Sequence, residues 1–253
     1  MNTSVRIAAL ATLAMTVTAL PTLAQGQKEF GIVGGATFST FTGSDAEDYS
    51  TDFGGGDFWH QSQTSKVGFV GGVYVAIPIG SSVVIEPELL YTQKGSKYDQ
   101  SLSGSFSDPN YGEVTYKSDY LEVPVLARYN FNPSGGAYLL GGFSVGFNVS
   151  CSAEASGTLA SDMQSGGYDP TPGCAMLSPD YYLLTNEIWL PVKAKTTFGA
   201  VLGLGYQKGN LGIEGRYDFD LGNAYAADID VLGSTDLEVK NAAWEVLLRY
   251  RVK

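Results

Sequence analysis

The chain has 253 residues and a net charge of −11, which suits one or two soluble domains or one membrane barrel with long loops. The acidic charge argues against a nucleic-acid partner, because the phosphate backbone attracts basic proteins. The two cysteines have no nearby His or Cys to complete a zinc ligand set, so we expect neither a metal motif nor a cofactor. The content of 32 Gly, 16 Tyr and 12 Phe favours tightly turned, aromatic-rich strands over helices.

Residues 1–24 are predicted to form a secretory signal peptide. Arg6 precedes an apolar run over residues 7–20, and small residues then lead to a cleavage point before Gln25. A membrane anchor is the alternative, but the run is shorter than the roughly 20 residues needed to cross about 30 Å of hydrocarbon. We therefore expect residues 25–253 to be the exported, mature chain.

Eight segments of the mature chain alternate apolar and polar residues with a period of two, which indicates β-strands. Their lengths are close to the span of a tilted strand that crosses a membrane, roughly 9–11 residues. The predicted strands cover residues 30–39, 66–79, 83–94, 118–131, 137–149, 197–207, 211–221 and 241–253.

The last segment has the clearest pattern. Trp244, Val246 and Leu248 lie on one face, whereas Glu245 and Arg249 lie on the other. Charge on a single face indicates an apolar exterior and a polar lumen, as in membrane barrels. A soluble lipocalin-like barrel, the structural alternative, would place apolar residues inside and polar residues outside. We therefore expect an all-β, eight-stranded antiparallel up-and-down transmembrane β-barrel in the bacterial outer membrane.

Short and long connections alternate along the predicted strands. The short turns are residues 80–82, 132–136 and 208–210. The long loops are residues 40–65, 95–117, 150–196 and 222–241. Bacterial barrels place their turns in the periplasm and their long loops outside, so both termini are expected in the periplasm. Outward aromatic residues at both ends predict two interfacial girdles, and Pro87 and Pro124 predict bulges or kinks in two central strands.

The polar strand faces place a set of charged residues in the predicted lumen. They are Glu86, Glu88, Lys94, Glu122, Arg128, Glu214, Arg216, Asp218, Glu245, Arg249 and Arg251. An isolated buried charge is costly, which favours a salt-bridged plug that makes the barrel rigid. A selectivity lining or a proton path is the alternative, although eight strands leave little more than side-chain-filled space. Glu122 and Arg128, beside Glu86 and Glu88, are predicted to form the centre of the network.

The predicted loops carry most of the acidic excess, and the third of them holds both cysteines. The acidic residues fit a solvated surface; the alternative is that they bind divalent cations, directly or as bridges to lipopolysaccharide phosphates. No EF-hand spacing supports a specific calcium site. Cys151 and Cys174 share one loop in an oxidising compartment, so we expect a disulfide worth about 3 kcal/mol by loop entropy.

Four stretches carry a family resemblance. Residues 83–98 read VVIEPELLYTQKGSKY, residues 120–131 read YLEVPVLARYNF, residues 138–147 read YLLGGFSVGF, and residues 30–40 read FGIVGGATFST. Together they resemble the outer-membrane β-barrel domain family often labelled "porin family protein" and common in Bacteroidota. The resemblance implies an outer-membrane barrel surrounded by lipid and lipopolysaccharide and inserted by the barrel assembly machinery.

Two features depart from that family pattern. The third loop, residues 150–196, is larger than expected and carries the cysteines. The chain ends Tyr250-Arg251-Val252-Lys253, so Tyr250 takes the place of the terminal aromatic that many barrels use as an assembly signal.

Three functions are compatible with these patterns. The leading hypothesis is a non-enzymatic envelope scaffold that displays its loops to an extracellular or periplasmic protein of unknown identity. A small pore for ions or solutes is the second, and a barrel enzyme that acts on lipid A is the third. Such an enzyme needs a nucleophile with a base, and the chain has a single histidine, His60, with Ser62 and Ser65 nearby. No fixed acid partner is apparent in the sequence, which argues against catalysis.

Overall fold

The computed structural model describes residues 28–46, 49–52, 58–103, 107–133, 135–177, 189–227 and 237–252. The predicted signal peptide, residues 1–24, lies outside these described ranges. Within them, no helix combines the length and the apolar character needed to cross a membrane.

Strands dominate the described part of the chain. In chain order they are Glu29–Thr42 (β1), Tyr49–Asp52 (β2), Phe58–Pro78 (β3), Val83–Ser103 (β4), Asp108–Asn130 (β5), Gly136–Ser156 (β6), Ala175–Leu177 (β7), Trp189–Ala194 (β8), Thr197–Lys208 (β9), Leu211–Asp220 (β10), Tyr225–Ala227 (β11) and Lys240–Arg251 (β12). An α-helix, Gly157–Ser165 (α1), follows β6, and a short 3-10 helix, Ser44–Ala46, follows β1.

Eight of these strands form a closed antiparallel barrel. Their order is β1-β12-β10-β9-β6-β5-β4-β3, and β3 pairs with β1 to close the ring. Gly35 of β1, for example, lies between Leu247 of β12 and Val70 of β3. Closure leaves no free edge in the ring, so the backbone groups pair between strands, as hydrocarbon surroundings require. The predicted eight-stranded up-and-down barrel is confirmed.

The outer face of the barrel is apolar. On β12, Trp244 and Leu248 are 62% and 67% exposed, whereas Leu247 between them on the inner face is fully buried. Outward aromatic residues lie near both barrel ends: Phe30, Tyr129, Phe131, Tyr206 and Tyr250 at the end with short turns, and Phe38, Phe69, Tyr91, Tyr217, Phe219 and Trp244 at the end with long connections. So large an exposed apolar surface is suited to lipid rather than water. We call these the turn end and the loop end.

Four barrel strands continue far into segments that the sequence predicts as loops. β3 begins at Phe58, β4 extends to Ser103, β5 begins at Asp108 and β6 extends to Ser156. More than half of the predicted loops 40–65 and 95–117 is therefore strand, whereas in the predicted loop 150–196 the extension of β6 covers only residues 150–156. The reason is that these hairpins bury one face even beyond the lipid span, so their pairing does not stop where the membrane stops.

The predicted bulges at Pro87 and Pro124 are wrong. Both prolines lie in continuous register, opposite Val125 and Ser144 respectively. A proline removes one ladder hydrogen bond but adds no residue to the strand, so the register continues. The register shifts lie elsewhere, between Ser65 and Val70, between Gln100 and Leu102, and between Asp119 and Tyr120.

The strand extensions form a lobe at the loop end of the barrel. It consists of the extended parts of β3 to β6, helix α1, and a small sheet in the order β11-β8-β7. The lobe has its own apolar core, in which Leu159 and Met163 of α1 pack with Val114, Leu177 and Trp189. Three further side chains of this core, Phe41, Tyr98 and Tyr116, come from the barrel strands.

Candidate functional site

An ion-pair cluster fills the turn-end half of the lumen. We call it the arginine layer; its members are Glu86, Glu88, Arg128, Glu214, Arg216 and Arg249. Arg216 donates from both terminal nitrogens to Glu88, at 2.7 and 2.8 Å, and its Nε hydrogen-bonds Glu214. Arg249 donates to Glu214 at 2.6 Å and to Glu86 at 2.9 Å. Arg128 Nη1 adds an ion pair with Glu86 at 2.7 Å.

Strand alternation positions these side chains. Glu86 and Glu88 share the inner face of β4, Glu214 and Arg216 share that of β10, and Arg249 comes from β12. Within the layer three guanidinium groups meet three carboxylates, so its formal charge is balanced. Because these groups are excluded from water, their mutual pairing replaces the hydration that they lose.

Two tyrosines complete the wall around the arginines. Tyr74 lies directly opposite Gly31, and Tyr138 directly opposite Gly205. A Cβ at either glycine would overlap the tyrosine ring, so each ring occupies a notch that only glycine provides. Tyr138 donates a 2.7 Å hydrogen bond to Glu214. The guanidinium of Arg249 lies 4.1 Å from the centre of the Tyr74 ring, in cation–π geometry.

A second cluster lies closer to the loop end, and it is rich in carboxylates. We call it the carboxylate layer; its members are Lys94, Glu122, Asp218 and Glu245. Lys94 Nζ is 2.6 Å from Glu122 Oε1 and 2.8 Å from Asp218 Oδ2. One oxygen from each of the three carboxylates lies within 4.8 Å of the other two. Asp218 Oδ1 and Glu245 Oε1 are buried without a hydrogen-bond partner.

The structure corrects the predicted centre of the lumen network. Glu122 pairs with Lys94 and Arg128 pairs with Glu86, so Glu122 and Arg128 belong to different layers. Arg251 joins neither layer: it pairs with Glu29 at 2.9 Å, where both side chains are 32% exposed at the turn-end rim. The period-two pattern identifies the inner face, but the stagger between strands decides which charges meet.

Among the described residues, two buried charged residues were missing from the predicted set. Asp220 accepts a 2.7 Å hydrogen bond from Asn241 Nδ2, and Asn241 also bonds Tyr120. Lys66 is 8% exposed near the loop end. Alternation places Asp220 on the same inner face of β10 as Asp218, and it places Lys66 on the face of β3 opposite to that of Val67. The signal for both residues was therefore present in the sequence.

The lobe closes over the loop end of the lumen. The Tyr225 ring packs 5.6 Å from that of Phe41, and the hydroxyl groups of Tyr225 and Ser118 hydrogen-bond. Burial raises the pKa of Tyr225 well above its usual value, so this hydroxyl stays neutral. Tyr98 donates to the Ala46 carbonyl at 2.9 Å, which ties the 3-10 helix to β4.

The lobe is braced by the disulfide Cys151–Cys174, which confirms the predicted pairing. Backbone hydrogen bonds hold the segment after α1 along β6, for example from Ala155 N to Pro170 O at 2.7 Å. At the lobe surface Tyr111 donates to Asp162 at 2.8 Å. Partial burial, with this hydrogen bond and the Asp162 charge, raises the pKa of Tyr111. The lobe is thus a packed unit rather than a set of separate loops.

His60 lies on the exposed part of the β3–β4 hairpin in the lobe. Its Nε2 is 3.2 Å from Ser103 Oγ, across the hairpin. Ser62 and Ser65, the serines that the sequence placed near His60, lie opposite Asp99 and Ser96 along the same hairpin. The acidic residues Glu47, Asp48 and Asp57 of the first predicted loop lie outside the described residues. Asp45, which is described, accepts a 2.7 Å hydrogen bond from Glu238 N.

Solved structures of several outer-membrane proteins are similar to this chain at low identity. The attachment invasion locus protein Ail of Yersinia pestis aligns at 14% identity with a TM-score of 0.42, over 89% of this chain and 99% of its own. Neisserial surface protein A gives 13% and 0.41, over 89% and 99%. OprG of Pseudomonas aeruginosa gives 12% and 0.39, over 90% and 98%. No curated protein sequence matches the chain.

A family model described as "Outer membrane protein beta-barrel domain" matches residues 23–226. This range contains seven of the eight barrel strands and ends before β12. The match covers well over half of the chain and agrees with the closed barrel and its apolar exterior. The chain therefore belongs to the outer-membrane β-barrel domain family and is a protein of the bacterial outer membrane.

Proposed function

We propose that this outer-membrane barrel is a closed, non-catalytic envelope scaffold that presents its lobe outside the cell to a protein partner. The observation that carries the proposal is the filled lumen. Glu86, Arg216 and Arg249 are at most 1% exposed, so the centre of the arginine layer has almost no contact with water from either end of the barrel. A barrel of eight strands has an interior only wide enough for its own side chains, which agrees with a plug.

The energetics of the arginine layer support the same proposal. Removing one partner from a buried ion pair costs about 3–5 kcal/mol, because the other charge is left unpaired. Opening a water path along the lumen would separate several such pairs together. The arginine layer therefore favours a rigid, closed barrel over a pore.

The lobe supports the display of an interaction surface. Bacterial barrels direct their short turns to the periplasm, so the lobe would lie on the outer surface of the cell. Its apolar core and the disulfide fix the backbone before any partner arrives. A preorganised surface loses less conformational entropy when it binds, which favours recognition by a folded surface.

Single-channel recording in planar bilayers tests the proposal. We expect the refolded protein to insert without steady conductance steps. The double variant Arg216→Ala with Arg249→Ala, which empties the centre of the lumen, should conduct if it inserts. Lys117→Ala with Glu154→Ala, an exposed ion pair in the lobe, is the matched control and should stay silent. Steady steps from the unmodified protein would contradict the scaffold proposal and support a pore.

The lipid A profile of cells tests the absence of catalysis. His60 is the single histidine of the chain, the residue type that most often acts as a general base, and it contacts Ser103. We expect cells that carry His60→Ala or Ser103→Ala to have the same lipid A species as cells with the unmodified protein. A lipid A species that disappears in both variants would establish an enzyme instead.

A further inference from the structure

We propose that the carboxylate layer binds one hard divalent cation, Ca²⁺, between Glu122, Asp218 and Glu245. The three residues come from β5, β10 and β12, so the barrel itself brings them together. They are 2%, 3% and 3% exposed. The site lies inside the lumen, separate from the acidic residues of the lobe surface and from the arginine layer.

The charge balance of the layer favours the binding of a further cation. Lys94 supplies the one ammonium group among three carboxylates and pairs with two of them, so these four side chains carry a formal charge of −2 when ionised. The buried carboxylate of Asp220, which interacts with Lys94 and Asp218, adds further negative charge beside them. Isolated charge inside a low-dielectric interior is very unfavourable. One divalent cation would balance the formal charge of the four side chains Lys94, Glu122, Asp218 and Glu245. The arginine layer needs no such ion, because its three guanidinium groups already match its three carboxylates.

Two unpartnered oxygens are the second observation that points to a ligand. Lys94 contacts Glu122 Oε1 and Asp218 Oδ2, but Asp218 Oδ1 and Glu245 Oε1 have no hydrogen-bond partner. Among the described residues, no lysine or arginine forms an ion pair with Glu245. Nearly every buried polar atom in a native protein has a partner. Arg128 Nε and Arg249 Nε are also buried without a hydrogen-bond partner, but the two carboxylate oxygens, unlike these nitrogens, can coordinate a cation.

The spacing of the oxygens suits calcium. The ligand oxygens lie within 4.8 Å of one another. Ca²⁺ binds oxygens at about 2.3–2.6 Å, so two ligands on opposite sides of the ion are separated by about 5 Å. Mg²⁺ demands about 2.0–2.1 Å and keeps most of its water, which suits a narrow, dry lumen less well. The donor set contains only oxygen, which disfavours zinc and copper relative to calcium.

Metal analysis of the refolded protein tests the proposal directly. The full chain is refolded in detergent with CaCl₂, freed of loose ions by gel filtration, and assayed for calcium by mass spectrometry. We expect about one Ca²⁺ per barrel. Glu245→Gln and Asp218→Asn should each lower the retained calcium about tenfold, because ligand charge sets the affinity of such sites. Asp45→Asn and Glu154→Gln change exposed lobe carboxylates and should leave it unchanged.

Folding is checked in each variant by heat-modifiable migration on gels, so that a loss of calcium is not confused with a loss of the barrel. Lys94→Gln is a second, independent variant: it removes the competing ammonium and should strengthen calcium binding. Retention that depends on Asp45 or Glu154 instead of Glu245 would overturn the lumen site. A second result would also overturn the proposal: a barrel without calcium that shows the infrared band of a protonated carboxylic acid, with that band absent in Glu245→Gln. Protons would then neutralise the layer instead of calcium.

Discussion

The two halves of the barrel are stabilised in different ways. In the turn-end half, three arginines match three glutamates, and two tyrosines fit against glycines. In the loop-end half, Lys94 pairs with two of three clustered carboxylates, and the structure above them is held by an apolar core and a disulfide. The same eight strands thus carry a charge-balanced half and an acidic half. The comparison indicates that the charges of the first half balance one another, whereas the second half depends on the lobe and on a group that neutralises its carboxylates.

Removal of Arg249 should affect the turn-end half most strongly. Arg249→Ala leaves Glu86 and Glu214 without their shared cation, so we expect the free energy of unfolding to fall by about 3–5 kcal/mol. Urea unfolding in lipid vesicles, followed by gel mobility, measures the loss. Arg251→Ala, two residues along the same strand, removes a partly exposed pair and should cost only about 0–1 kcal/mol. Equal losses from the two variants would show that burial of the pair is not what matters.

The disulfide should matter only to the loop-end half. Cys151→Ser with Cys174→Ser releases the constraint on the lobe, worth about 3 kcal/mol by loop entropy. We expect proteases to cut the lobe of the folded variant faster, while the urea midpoint of the barrel stays unchanged. A matching fall in the barrel midpoint would mean that the lobe and the barrel unfold as one unit.

The notch at Gly205 should be specific to its tyrosine. Gly205→Ala forces a Cβ into the Tyr138 ring and should lower the free energy of unfolding by about 1–3 kcal/mol, the usual cost of overpacking. Gly215→Ala is the control, because a Cβ at Gly215 meets no atom within 4 Å. Urea unfolding of both variants provides the comparison. The notch has no importance for stability if both alanines are tolerated equally.

Neutralising one carboxylate should have opposite effects in the two layers. Without divalent cations, Glu245→Gln relieves repulsion among buried carboxylates and should raise the free energy of unfolding by about 1 kcal/mol. Glu86→Gln removes a partner from Arg249 and Arg128 and should lower it. Urea unfolding in the presence of a chelator gives both signs. An unchanged free energy of unfolding in Glu245→Gln would mean that Glu245 is already neutral without a bound ion, and a loss would mean that its charge is stabilised by other groups.

The barrel was predictable from the sequence because lipid imposes a simple rule on each strand. Trp244 and Leu248 must face outward if Glu245 and Arg249 face inward. A strand has only two possible orientations of its faces, so the position of one charged residue determines which side chains of that strand face the lipid. The lobe was not predictable in this way. β4 continues to Ser103, and α1 follows β6, because a local apolar core forms there, and that core is assembled from segments distant in the sequence.

The candidate site was predictable as a set of residues but not as a set of pairs. Alternation places Glu122 and Arg128 on the inner face of β5. Their true partners, Lys94 and Glu86, depend on the tilt and stagger of neighbouring strands, which no single segment encodes. The separation into two layers with different charge balance follows from that stagger.

The last strand has a consequence for biogenesis. β12 supplies Arg249 to one layer and Glu245 to the other, and it pairs with β1 only when the C-terminal part of the chain is present. An unclosed sheet leaves Glu86 and Glu214 without Arg249, so those carboxylates retain their water and resist transfer into lipid. Pairing of β12 with β1 therefore closes the barrel and brings Arg249 to Glu86 and Glu214 in the same step. We therefore expect chains that lack β12 to insert less readily than the full chain.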